Sequence, residues 1–169
     1  ISAPRVLASY KLTFGASLLA ALVNVVGNVA SGRLLQRGVP ALLLLTVGFI
    51  AMALGSVLAF ADLGWNPSHD GVATMRYLGV LLFSMVGGLI PGTLFSMAVR
   101  LAPDEGSIST TVGWMQQLSS LGQFLGPPLV AWIAASTGGW HFTWVATGSC
   151  CVLGLVVARG IHKLSHAPH

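Results

Sequence analysis

Charge is what this sequence has least of. Of 169 residues, 7% are Asp, Glu, Lys or Arg, against 54% hydrophobic. A soluble globular domain carries about a quarter charged residues. So few charges cannot cover a water-facing surface, which excludes an ordinary soluble domain. Acids are the scarcest, with only Asp62, Asp70, Asp104 and Glu105. All four fall between apolar runs, so no carboxylate pair stands at mid-span for an intramembrane protease. The histidines lie in connections, at one helix end (His141) or in the tail. His162, His166 and His169 have no Cys or carboxylate ligand beside them, so they read as a polar terminus rather than a metal site. No enzyme, cofactor or metal is expected. The only cysteines, Cys150 and Cys151, are adjacent within an apolar run, which excludes a disulfide framework. The net charge of +4 is scattered over the ends of apolar runs with no basic block, which excludes a nucleic-acid partner.

Long apolar runs are abundant instead. A span needs about 20 such residues. Five stretches qualify, at about 9–31, 39–61, 77–99, 107–135 and 140–160, followed by a polar tail, 161–169. The expected fold is all-α, a polytopic transmembrane bundle in the cytoplasmic membrane. The chain opens at Ile1 and almost at once enters a full-length span. This suggests a fragment with no signal peptide. The connections are short: Gly32 to Gly38, Asp62 to Arg76, Arg100 to Gly106, and Ser136 to Gly139. An odd number of spans puts the two ends on opposite sides. Arg33, Arg37, Arg100, Arg159 and Lys163 gather on one side, and Arg5, Lys11 and Arg76 on the other. The positive-inside rule makes the first side, with the C-terminus, cytoplasmic. Tyr10, Trp65, Tyr77, Trp140 and Trp144 then fall at the outer boundary as an aromatic belt.

Polar residues inside the spans follow helical spacing. On the first, Asn24 and Asn28 share a stripe with Ser17 and Ser31. An amide at mid-span should not face lipid, so it either binds a neighbouring helix or lines a cavity. Lys11 sits a turn inside the outer end, where its stem can snorkel or turn inward toward an anionic solute. The second span has one small-residue ridge, Ala51, Gly55 and Ala59, for packing. The third carries Ser84, Gly87, Gly88, Pro91 and Gly92. Pro91 removes a backbone bond, so this is either a static kink with close packing or a hinge. On the fourth, Gln116, Ser120 and Gln123 share a face, and Gln116 is favoured over Gln117 for that reason. Gly122, Gly126 and Pro127 interrupt the same helix. Gly costs about 1 and Pro about 3 kcal/mol in a water-exposed helix interior, but a membrane helix tolerates both. The fifth span reads as packing.

Two stretches resemble signatures of the major facilitator superfamily. Gly113, Gly122 and Gly126-Pro127 look like its glycine-proline antiporter motif, although Val130-Ala131 stand where that motif ends in Gly-Gly. Gly32-Arg33-Leu34-Leu35-Gln36-Arg37-Gly38 is similar to its cytoplasmic loop signature, with Gln36 in place of the Asp and one residue missing. The spacing between the two matches spans eight to twelve of a twelve-span transporter. Gly27-Asn28, Leu34 to Pro40 and Gly126-Pro127-Pro128 also resemble the cyanate-permease-like branch. No substrate is carried over.

The resemblance implies a secondary active transporter that moves a small solute by alternating access, with a proton or other ion as the candidate coupling partner. Its partners would be the bilayer and the missing N-terminal half. It places the first, third and fourth spans around the cavity, so Asn24, Ser84 and Gln116 are expected to converge on one aqueous gap. Arg33 and Arg37 either anchor a helix end at headgroups or take part in gating. A non-transporting assembly or receptor module is the alternative.

Overall fold

The computed structural model describes residues 3–61 and 70–165, with side chains described for 13–61 and 71–163. The Arg5 and Lys11 side chains, Trp65, and His166 and His169 therefore lie outside the described residues. Among those residues there is no strand. Five α-helices are each long and apolar enough to cross a membrane. They are α1 (Ala3–Gln36), α2 (Ala41–Phe60), α3 (Asp70–Leu101), α4 (Ile108–Thr137) and α5 (Thr143–Ser165), with short 3-10 turns before α4 and α5. The chain is an all-helical, multi-pass membrane protein.

Several helices outrun the hydropathy pattern. α1 has 34 residues, roughly 50 Å at about 1.5 Å per residue, well beyond a hydrocarbon core of about 30 Å. Its polar start is helical from Ala3, and Pro4 is tolerated because first-turn N–H groups have no partner to lose. At its other end the expected loop at Gly32 is corrected. Gly32 to Gln36 is helix, and only Gly38, at φ 84°, reverses the chain. Val39 N–H bonds Leu34 O at 3.0 Å and Gly38 N–H bonds Leu35 O at 3.0 Å, closing the helix as a Schellman motif before Pro40. Asp70 to Arg76, expected as loop, forms two further turns of α3. The tail likewise stays helical to Ser165.

The helices pack in the order α1, α3, α2, α5. Across α1 and α3, small residues let the backbones touch. A Cβ on Gly27 would strike Met85 O, and one on Gly88 would strike Asn24 O. A Cβ on Gly92 would strike Ser31 Oγ. Gly88 and Gly92 stand four apart, the spacing that lets two membrane helices approach closely. Across α2 and α3 the small ridge works the same way, with Gly55 against Gly79 O and Gly79 against Ala59 N, each 3.0 Å from an added Cβ. The other face of α2, with Leu43, Val47, Ile50 and Leu54, is exposed, as a lipid-facing side would be. α5 turns Thr143, Cys151 and Ala158 inward, and Gly154 accepts the Phe49 ring. Ser56 and Thr93 are fully buried and satisfied by carbonyls of their own helices, Ala53 O at 2.8 Å and Leu89 O at 2.7 Å.

Candidate functional site

α4 joins this packing least, meeting α3 and α5 through residues toward its two ends. The 3-10 turn that leads into it, Glu105–Ser107, is fixed by a capping box. Asp104 Oδ1 accepts from Ser107 N–H at 2.7 Å, and Ser107 Oγ accepts from Asp104 N–H at 3.2 Å. The end of α4 is fixed by Gly138 at φ 74°, with Gly139 N–H bonding Ala134 O at 2.9 Å. Between these ends the helix runs unbroken through Pro127 and Pro128. Thr111, Val112 and Met115 near one end, and Gly126, Val130, Ile133 and Ala134 near the other, are covered at least in part. Every residue from Gln116 to Leu125 is exposed. The helix is held by its ends, and its middle stands clear.

That uncovered middle carries Gln116, Gln117, Ser119, Ser120, Gly122 and Gln123 among large apolar side chains such as Leu118 and Phe124, the latter 76% exposed. Gln123 Nε2 donates to Ser119 Oγ at 3.3 Å, one turn back. Gly113 and Gly122 have nothing within 4 Å of an added Cβ, and neither has Gly126. A shallow hollow of about 300 Å³ is lined by Thr110, Gly113, Trp114 and Gln117. Gln117, set aside on spacing alone, is thus the glutamine beside a concave surface. No sequence signal separated it from Gln116, because two adjacent residues differ only in angle about the helix.

The expected three-way convergence is not found. Asn24 and Ser84 do meet, but each is committed to the other's helix. Asn24 Nδ2 donates to Ser84 O at 2.8 Å, and Ser84 Oγ donates to Ala20 O at 2.7 Å. Tyr77 OH adds a bond to Ala16 O at 3.0 Å, so this belt residue turns toward α1. These three bonds follow the α1–α3 seam that Gly27, Gly88 and Gly92 bring together. The Nδ2 donor of a mid-span amide thereby finds a protein partner, which offsets part of the cost of removing it from water. Gln116 is on another helix and makes no part of this cluster. Asn28 is exposed beside the seam, and its carbonyl accepts from Ser31 Oγ at 2.6 Å.

The hinge candidates divide in the same way. Gly88 is pressed on the α1 backbone, while Gly87 faces Met52 Sδ at 3.7 Å from an added Cβ. Pro91 lies inside α3, whose helix continues across it. Arg33 and Arg37 are exposed at the C-terminal end of α1, which lies on the same side as Arg100 and Arg159, near the ends of α3 and α5. Basic groups there also complement the negative ends of three helix dipoles. No family model, curated protein or solved structure matches the chain.

Proposed function

We propose that the chain is the part of a secondary active transporter corresponding to spans eight to twelve of the major facilitator arrangement. α4 then faces the solute path. The observation that carries this reading is the uncovered stretch Gln116 to Leu125. In a bilayer each amide left without a partner costs several kcal/mol. Three glutamines and two serines at mid-span therefore need either further helices or water beside them. A water-filled path between this chain and a preceding half supplies both. The two motif resemblances and their spacing support the same assignment. The solute is a small molecule, coupling to a proton or other ion belongs to the same proposal, and the end bearing Arg33, Arg37, Arg100, Arg159 and Lys163 is cytoplasmic.

In this reading Gln116, Ser120 and Gln123, with Asn28 at the seam edge, are solute-facing. Asn24 and Ser84 hold α1 to α3. The pairing of Asn24 with Ser84 is also the observation favouring the second reading, an assembly module whose polar groups serve only to join helices. Alanine substitutions separate the two in the full-length protein, reconstituted in proteoliposomes and screened for uptake of radiolabelled small solutes. Gln116→Ala, Ser120→Ala and Gln123→Ala abolish uptake with insertion unchanged if α4 lines the path. Retained uptake in all three removes the assignment.

A further inference from the structure

A groove opens at the charged end of the bundle, between the start of α2 and the last turns of α3 and α5. Its outer part has a volume of about 340 Å³ and is lined by Leu45, Met97, Arg100, Ala158 and His162, among others. An ordered water needs only about 10–15 Å³ of such space, so the groove is sized for a larger group. A second space of about 290 Å³ shares Leu45, Met97 and Ala158 with the first and continues to Phe49 and Leu153. Each of these deeper residues lies at least a turn nearer mid-span on its own helix. The inner part is wholly apolar in its side chains, and none of the residues lining either part is acidic. Among the described residues Arg100 has no ion-pair partner. The groove thus has a cationic mouth at the end of the bundle and an apolar floor running toward mid-span.

We propose that this groove is a binding site for an anionic phospholipid. The phosphate meets Arg100 at the mouth beside His162, and one acyl chain lies along Leu45, Met97 and Phe49. Arginine suits this role because its guanidinium pairs with phosphate through two parallel hydrogen bonds. Basic pockets between membrane helices on the cytoplasmic side are a recurrent way of holding such headgroups. The inference uses surfaces of α2, α3 and α5 and stands apart from the reading of α4.

The test uses the full-length protein in nanodiscs made from equal parts of phosphatidylglycerol and phosphatidylcholine with matched acyl chains. Retained lipid is counted by native mass spectrometry. Phosphatidylglycerol is expected to be enriched among retained lipids. Arg100→Gln should lower its retention about fivefold, the effect of one cation near the surface. Arg33→Gln, exposed at the same end but outside the groove, should lower retention by much less, because no apolar channel beside it holds an acyl chain. Added glycerol phosphate should not displace the lipid, because it lacks the chain. Equal retention of the two lipids overturns the proposal. So does loss in Arg33→Gln as large as in Arg100→Gln, or displacement by glycerol phosphate.

Discussion

Gly88→Ala is the smallest change that should pull α1 and α3 apart. The added methyl group would meet Asn24 O, with Asn28 N at 2.9 Å and Asn24 C at 3.1 Å. All three are backbone atoms of one helix, so no side chain can rotate away. The helices must separate, and overpacking of this kind costs about 1–3 kcal/mol. Separation also stretches the bonds from Asn24 to Ser84 O and from Ser84 to Ala20 O, 2.8 and 2.7 Å long. Hydrogen bonds between membrane helices average about 0.6 kcal/mol each. The expected loss is therefore about 2–4 kcal/mol. Thermal unfolding of the full-length protein in detergent should show a midpoint lowered by several degrees. Gly160→Ala is the control, since nothing lies within 4 Å of its added Cβ. Its better helix propensity, about 1 kcal/mol, should leave stability equal or improved. A Gly88→Ala protein as stable as the parent, or a Gly160→Ala protein equally damaged, refutes the close-approach account of this seam.

Other consequences follow from single contacts. Asn24→Leu removes one bond across the seam and should cost about 0.6–1.7 kcal/mol in unfolding, with solute affinity unchanged. A changed affinity at constant stability would place Asn24 in the path after all. Asp104→Ala removes the acceptor that caps the 3-10 turn leading into α4 and should cost about 0.5–2 kcal/mol. Amide exchange should then accelerate at residues 105–110 and not in α2. Uniform acceleration would mean that α4 is not held separately at its end.

The spans themselves were legible because hydrocarbon demands continuous apolar runs, and all five appear where hydropathy puts them. Their ends were not, since in Asp70 to Arg76 a helix continues through a mixed stretch whose Asp, Gly and Arg read as a loop. Gly32 misled in a specific way. It reads as a breaker, yet inside a helix it is only a small residue, and at this helix end it is Gly38 that adopts the left-handed turn. The Gly88 to Gly92 spacing was a readable sign of the α1 contact. Gly27 could have been found from its four-residue spacing to Ser31. The polar faces were also readable, but the partner of each was not. Periodicity says that Asn24 and Gln116 each need a neighbour, while topology decides that one meets Ser84 O and the other meets no partner among the described residues.

The claim that most needs testing is that the middle of α4 borders a path open in turn to each side of the membrane. Gln123→Cys in the full-length protein, with Cys150 and Cys151 replaced by Ser, can be exposed to a membrane-impermeant thiol reagent in right-side-out and inside-out vesicles. Labelling from both sides, with Leu118→Cys, on the opposite face of α4, unreactive from either, is the predicted result. Gln123→Cys that reacts from neither side, or from one side only, contradicts the account.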